Sequence, residues 1–328
     1  MKPRFVDFLC CPACRSDLSL RADRKDGAEI VAGELRCGEC GEAYPIRGGI
    51  PRFQKAPLRG EVARTVENFG KAWRRFSWLD PNYERQFLDW VRPVTHDFFK
   101  GKLVLDAGCG KGRHLVWAER FGAEEVVGFD LSDAVEVSYG HTKHLPNVHV
   151  AQGDIYNPPV KAAFDYIYSL GVLHHLPRPG EGFRSISKLL RPKGAISIWV
   201  YGRENNDWIV WFVNPFRRLV TSRMSPRQLH AMSFAITAFV LWPALKLFWA
   251  PLRRWAPGLG KRLFYGDYFC YISAFSFRDV LAIVFDHLTP PTAYYLSRDE
   301  VRSWFDGVFG RVELRHHNAN SWGGFGVR

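Results

Sequence analysis

The stretch from Val104 to Arg113, VLDAGCGKGR, decides the fold of this 328-residue chain. Apolar residues lead into Asp106, and glycines follow at 108, 110 and 112. Glycine lets a backbone turn tightly and pass close to a ligand with no side chain in the way. Arg113 to Arg120 then reads as a helix, whose N-terminus offers free N–H groups and the positive end of a dipole. A dinucleotide fingerprint would read G-x-G-x-x-G. Here the glycines fall as G-x-G-x-G, with an acid two residues before the first. That acid suits a ligand carrying an ammonium group and would oppose a pyrophosphate.

Working outward, short apolar runs alternate with helical stretches. Strands are expected at Lys102–Asp106, Glu125–Asp130, Val148–Ala151, Tyr166–Leu170 and Ala195–Tyr201, with a further helix at Gly182–Leu190. Such alternation means a parallel sheet covered on both faces. Ser297 and Glu300 form a capping-box pair that opens a helix to Asp306. Arg311–His317 and Trp322–Val327 are closing strands. The expected class is α/β: a Rossmann-like, seven-stranded, mostly parallel sheet over 58–328, with a helical insertion at about 202–291 between strands five and six. A separate small domain fills 1–57.

That small domain carries Cys11-Pro-Ala-Cys14 and Cys37-Gly-Glu-Cys40. Two C-x-x-C pairs can bring four thiolates to one tetrahedral ion, and zinc accepts such a set in closed structural sites. A redox C-x-x-C needs a strand–helix context that this short, loop-rich block lacks. Cys11, Cys14, Cys37 and Cys40 are the expected ligands of a structural Zn2+, and Cys10 is the packed spare. MKPRFVDFLCCPACRSDLSL followed by GELRCGECGEAYPIRGGIPRF resembles the zinc-ribbon family typified by the small activator subunit of tRNA and protein methyltransferases. The likeness covers about the first 55 residues and raises the prospect of a protein partner docking on the ribbon.

Downstream residues define the rest of the cofactor site. VVGFD places Asp130 at a strand tip, where a carboxylate can accept from two ribose hydroxyls. Gln152-Gly153-Asp154 places another within reach of an adenine amino group, and SLGVLHHL sets Leu170–Leu173 beneath the ligand. The series DxGxGxG, strand-end Asp, GD and VLHHL resembles class I S-adenosylmethionine (SAM) methyltransferases, in particular the ubiquinone/menaquinone-biosynthesis-like branch, from about Phe69 to Tyr201. The resemblance implies SAM as cofactor, bound by Asp106, Gly108, Gly110, Asp130 and Asp154. Gly112, Leu131, Ile155 and Leu170 complete the expected cradle. Asn68 to Trp73, NFGKAW, matches a segment preceding the core in related zinc-ribbon methyltransferases; it is a lid over the cofactor or an ordinary core-facing helix. A SAM-binding scaffold without turnover is the non-enzymatic alternative. NPPV at Asn157–Val160 precedes the fourth strand and lacks an aromatic, so it reads as a loop, not as an amino-group methyltransferase motif.

Methyl transfer needs alignment and exclusion of water, and a hydroxyl acceptor needs a base. His175 and His174 are the candidates, with His316, His317 and the Asp286-His287 pair behind them.

The formal net charge is +12, unevenly placed. Between Asp207 and Asp267 there is no acid, while Arg217, Arg218, Arg223, Arg227, Lys246, Arg253, Arg254, Lys261 and Arg262 fall there. Such a segment calls for an anionic partner unless it is simply a solvated face. Inside it, AMSFAITAFVLWPALKLFWA (231–250) approaches membrane-spanning length, interrupted by Pro243 and Lys246. A span is excluded because the closing strands follow it and must rejoin the same sheet. The segment is therefore a lid over the acceptor or an element lying in a membrane interface. The expectation is a small, apolar or lipid-linked acceptor, methylated on oxygen or carbon, with peripheral contact to an anionic membrane. RNA methylation is the alternative, the basic aromatic patch gripping phosphates and stacking bases. The N-terminal MKPRFVDFLCCPAC holds no secretory apolar run, so a place in the cytoplasm or at the inner membrane face is expected.

Overall fold

A computed structural model describes residues 1–54, 57–289 and 293–328. Two sheets organise them. In the first, β1 (Leu18–Asp26), β2 (Glu29–Cys37), β3 (Ala43–Arg47) and β4 (Ile50–Pro51) run antiparallel in that order. The second holds β5 (Leu103–Ala107), β6 (Glu125–Asp130), β7 (Val148–Gln152), β8 (Phe164–Leu170), β9 (Leu190–Tyr201), β10 (Arg311–His317) and β11 (Ser321–Val327), in the order β10-β11-β9-β8-β5-β6-β7. Strands β5 to β9 are parallel to one another, and the β10–β11 and β11–β9 pairs are antiparallel. The seven-stranded, mostly parallel Rossmann-like sheet is therefore as expected.

The central strands are apolar because both faces are covered. Every residue of β8, FDYIYSL, is buried, and so are the last four of β5. Chain order reverses on either side of β5 and β8, and in such sheets ligands bind at the strand ends beside the reversal. The helix Arg113–Arg120 packs back on β6 through Leu115 and Gly128; a β-carbon on Gly128 would lie 2.8 Å from Leu115 Cδ1.

Some boundaries differ from expectation. β9 starts at Leu190, which pairs with Phe164 ahead of a turn at Lys193 (φ 65°); pairing resumes where Ala195 meets Tyr166. The late helix spans only Arg298–Ser303, and Ser297 caps it by accepting from the Glu300 N–H. The insertion is helical as expected, while its expected end at 291 lies outside the described residues. A helix runs through Arg227–Trp255. Pro243 does not break it: π-helical turns at Ile236–Leu241 and Leu245–Trp249 flank the proline and absorb its missing N–H.

The small sheet is not tethered loosely. The Phe53 N–H donates to Gln152 O (2.9 Å), Cys10 N–H to Pro159 O (3.0 Å) and Lys161 N–H to Phe8 O (2.9 Å). The Arg15 guanidinium donates to the carbonyls of Pro158 and Val160. Phe5, Leu9, Leu35, Tyr44 and Phe53 share one apolar core with Leu105, Val127, Phe129 and Ala151. The exposed edge strand β7 is thereby covered.

Candidate functional site

The C-terminal ends of β5, β6, β7 and β8 open into one cavity of about 580 Å³. Gly108, Gly110, Asp130, Leu131, Asp154, Ile155 and Leu170 all line it, so the structure brings together most of the expected cradle. Gly108 has φ 93°, and a β-carbon there would meet Val172 Cγ2 at 2.5 Å. Gly112 has φ 79°, and its β-carbon would meet Ser138 Oγ at 2.4 Å. No other residue fits either place. Gly112 supports the turn from behind and is not in the cavity wall.

The three acids differ. Asp106 is 1% exposed and its Oδ2 has no hydrogen-bond partner. Burial, then the nearby charge of Asp130, pushes its carboxyl well above the ordinary range. Asp130 accepts from Gly110 N–H through Oδ2 (2.9 Å) and from Ser132 N–H and Oγ through Oδ1 (2.8 and 2.7 Å). Burial raises its carboxyl, against these bonds. The strand-tip acid therefore also shapes the loop. Asp154 accepts from Tyr156 N–H (2.9 Å) at the rim. These residues fit a SAM-type ligand: the glycines leave room for it, Asp130 and Asp154 stand in the wall, and Asp106 lies just behind the wall beside the Tyr168 hydroxyl.

The segment 68–73 roofs this end. Phe69 and Trp73 line the cavity, and Trp73 Nε1 lies 3.3 Å from where a Gly110 β-carbon would stand. Lys111, inside the glycine loop, anchors the roof by donating to Phe76 O (2.8 Å), Trp78 O (2.9 Å) and Tyr83 Oη (3.2 Å). Burial, then the Arg113 charge, lowers its amine to about 7.

Of the candidate bases, His175 lines the cavity, with the Phe69 ring edge-on at 4.9 Å. His174 is fully buried behind it, stacked on Tyr201 at 3.9 Å, its Nδ1 accepting from Tyr201 N–H at 3.4 Å. Burial, then the charges of its neighbours, keeps His174 neutral. His287 and Asp286 also line the cavity. Burial lowers His287 to about 3 and raises Asp286 to about 6. His317 lines it too, but is held by Asp89 at 2.6 Å; His316 stacks on Trp322. The far half is walled by Trp199, Tyr201, Tyr265, Tyr268 and Phe269, with Arg217 among them. Sequence spacing does not reveal this wall, because its members are dispersed over β9 and the insertion.

At the other end of the chain, the Sγ atoms of Cys11, Cys14, Cys37 and Cys40 lie within 4.8 Å of one another. Cys11–Cys40 and Cys14–Cys37 are 3.6 and 3.4 Å apart. Bonds of about 2.3 Å to a tetrahedral zinc would put sulfurs roughly 3.8 Å apart, so the set fits that ion. Cys10 is buried outside the cluster, its thiol pushed up to about 11 by burial.

A family profile described as "Methyltransferase domain" matches residues 105–198, and one described as "Trm112p-like protein" matches residues 2–49. The Rossmann-like core is thus a methyltransferase domain behind a Trm112-like domain. A tRNA U34 carboxymethyltransferase of Pseudoalteromonas translucida is 33% identical over 141 residues, 38% of this chain and 44% of the relative. The enzyme of the same name from Tolumonas auensis is 34% identical over 124 residues, 35% of this chain and 38% of the relative. The chain spans less than half the length of these curated relatives. Among solved structures, the complex of the Haloferax volcanii Trm112 methyltransferase activator with a methyltransferase is similar at 20% identity and TM-score 0.34, covering 44% of this chain and 65% of that one.

These findings correct two expectations. The relatives are tRNA carboxymethyltransferases, not members of the quinone-biosynthesis branch. The expected small, apolar or lipid-linked acceptor is overturned with it, because the matching relatives are named for a tRNA nucleotide. That expectation rested on reading the apolar insertion as a lid for an apolar acceptor. In the structure Phe234, Phe239, Val240, Leu247 and Phe248 of that segment are exposed and stand outside this cavity, while Ile236 and Leu241 reach its wall.

Proposed function

We propose that this chain transfers a methyl or carboxymethyl group from SAM, or a SAM-type sulfonium, to a tRNA nucleotide. One observation carries the reading: the identity to tRNA U34 carboxymethyltransferases falls on a chain whose methyltransferase core lines its cavity with Gly108, Gly110, Asp130 and Asp154.

A bound sulfonium donor supplies an activated carbon and leaves as a neutral thioether. The chain's residues do the rest. Asp106 holds the donor's ammonium group. Gly108 and Gly110 admit its amino-acid portion, and Asp130 and Asp154 take its ribose and adenine, flanked by Leu131, Ile155 and Leu170. Phe69 and Trp73 close over the site and exclude water, so that alignment lowers the barrier. His175, facing the cavity, takes the proton if the acceptor is a hydroxyl. The wall of Trp199, Tyr201, Tyr265 and Tyr268 offers stacking surface for a base drawn out of its stack.

We read 1–57 as a ribbon unit with a structural zinc on Cys11, Cys14, Cys37 and Cys40, and 58–328 as the transfer unit. The ribbon works within the chain by bracing β7 and the 152–154 loop that carries Asp154.

The test is incubation of the zinc-loaded full-length protein with total tRNA and labelled SAM, or its carboxylated sulfonium analogue, followed by nucleoside mass spectrometry. Label in one nucleoside, absent with Asp106→Asn, supports the reading, and the mass identifies the group. Donor binding with no label in tRNA from either donor overturns it in favour of a scaffold.

A further inference from the structure

The deep half of the cavity holds a guanidinium that, among the described residues, forms no salt bridge. Arg217, on the helix Asn214–Leu219, is 1% exposed and lines the cavity. Its Nη1 donates to Asn214 Oδ1 at 3.0 Å. Its Nε and Nη2 are buried without a hydrogen-bond partner. Among the described residues no carboxylate lies within 4.0 Å of the guanidinium, Asp286 included. The Tyr295 hydroxyl approaches the guanidinium closely enough to share a polar contact with it, and the Asp286 carboxylate feels the same charge from farther off. His174, behind the same wall, also has a buried Nε2 without a partner. A buried cation with open donors is costly and persists where a ligand completes it. The open Nε–Nη2 edge is the fork that meets two oxygens of a carboxylate or phosphate side by side.

We propose that Arg217 seats an anionic group, a carboxylate or a phosphate, borne by the ligand that fills the aromatic half of the cavity. The inference rests on the transfer reading for the ligand's identity, not for the seat. The group would come from the acceptor nucleotide as phosphate, or with the transferred group as carboxylate.

The test is calorimetry on the zinc-loaded full-length protein and Arg217→Met. One arm compares uridine 5′-monophosphate with uridine in the presence of S-adenosylhomocysteine. The other compares the S-carboxymethyl sulfonium of S-adenosylhomocysteine with SAM. Wild type should prefer one anionic probe over its neutral counterpart by about tenfold or more, as a desolvated charge pair requires. Arg217→Met should erase that preference and raise the Tm of the ligand-free protein. The responding arm identifies the source. Equal binding of charged and neutral probes in both arms, a preference that survives in Arg217→Met, or a lowered Tm overturns the seat. Failure of tRNA labelling with this selectivity intact would sink the transfer reading alone.

A second inference rests on the opposite face of the insertion. The helix through Arg227–Trp255 buries Leu229, Leu245 and Trp249 against the body of the protein. Its other face leaves Phe239 79% and Leu247 80% exposed, beside Val240 and Phe248. Trp211, Phe212, Trp255 and Phe264 of the same insertion are exposed as well. Exposed Arg218, Arg223, Arg227, Arg253, Arg254, Lys261 and Arg262 share the insertion, in a run without an acid. A soluble face rarely leaves such apolar side chains in water. β10 and β11 follow the helix and join β9's sheet, so it cannot span.

We infer that this face lies in the interface of an anionic lipid bilayer, with aromatic and aliphatic side chains at the acyl boundary and arginines at the headgroups. Exposed Val240 and Leu247 favour lipid over RNA here, because they give a nucleotide nothing to stack on or pair with. Co-sedimentation with phosphatidylcholine vesicles containing phosphatidylglycerol tests it. Wild type should pellet, and a Phe239→Glu/Leu247→Glu variant should stay in solution with S-adenosylhomocysteine binding unchanged. No pelleting, pelleting that the glutamates leave untouched, or loss of tRNA affinity in that variant overturns the lipid assignment.

Discussion

The Gly110 N–H donates to Oδ2 of Asp130 at 2.9 Å, tying the loop after β5 to the tip of β6. The same carboxylate holds Ser132 through its other oxygen. Asp130 thus organises the turn before any ligand arrives, whereas Asp106 is left with an open oxygen. The two acids should respond differently to neutralisation.

Asp106→Asn is expected to raise the stability of the ligand-free protein while abolishing SAM binding. The Asp106 carboxyl is raised above its unfolded value, so its contribution is full at low pH and lost as pH rises through the folded value. At neutral pH its buried charge is a cost, and relieving an unsatisfied buried group of this kind is worth about 1–3 kcal/mol. Thermal melts with and without SAM check this; a lower Tm in the ligand-free variant would refute the assignment of Asp106 to a ligand.

Gly108→Ala should destabilise the protein by about 1–3 kcal/mol, because an alanine must hold φ 93° and meets Val172 Cγ2 at 2.5 Å. Val172→Ala in the same chain removes the collision and leaves the backbone strain. The double variant should recover only part of the loss in denaturant titrations. Full recovery would mean that crowding alone forbids a side chain there.

Which parts were readable before the structure follows from how local each signal is. VLDAGCGKGR is contiguous, and its glycines are needed for backbone reasons that any sequence displays. Asp130 and Asp154 sit at strand tips, which alternation locates to within a residue or two. The ribbon's cysteines carry their own spacing. Arg217, Tyr201, Tyr268 and His287 meet only through tertiary packing of the insertion against β9, and no periodicity links them. The acceptor is not legible in the sequence for a related reason: apolarity along 231–250 does not tell which face looks inward, and much of it looks outward.

Lys111 yields a pH signature. Its amine is lowered to about 7 in the fold from an ordinary 10.5, by burial and then by Arg113. Across that window the unfolded chain holds the extra proton, so the stability owed to Lys111 rises with pH and is lost as pH falls through about 7. Unfolding free energies of wild type and Lys111→Met, measured between the folded value of about 7 and the ordinary 10.5, should therefore diverge in favour of wild type as pH rises. A pH-independent difference would show that the amine stays charged against Phe76 O and Trp78 O.

His175→Ala should lower turnover by about a hundredfold or more if this ring takes the acceptor's proton, with donor affinity nearly unchanged. His175→Gln keeps much of the packing against Phe69 and should be equally slow. A glutamine variant with near-normal turnover would make His175 a part of the roof and not a base.

Metal removal should be felt far from the metal. Cys11 and Cys37 belong to the same apolar core as Leu105 and Phe129, which lie beneath the cofactor loop. The ribbon also closes the β7 edge through Phe53 N–H to Gln152 O, two residues before Asp154. A block of this size holds little core of its own, so a zinc on the four cysteines would be coupled to its fold. Chelation, or Cys37→Ser, is therefore expected to lower the Tm of the whole chain and to weaken SAM binding by about tenfold, through loss of order at 152–154. Hydrogen exchange would locate the effect, with protection falling in β7 together with β2 and β3. If chelation freed β2 and β3 but left β7 protection and SAM affinity intact, the ribbon would be a passenger and not a brace.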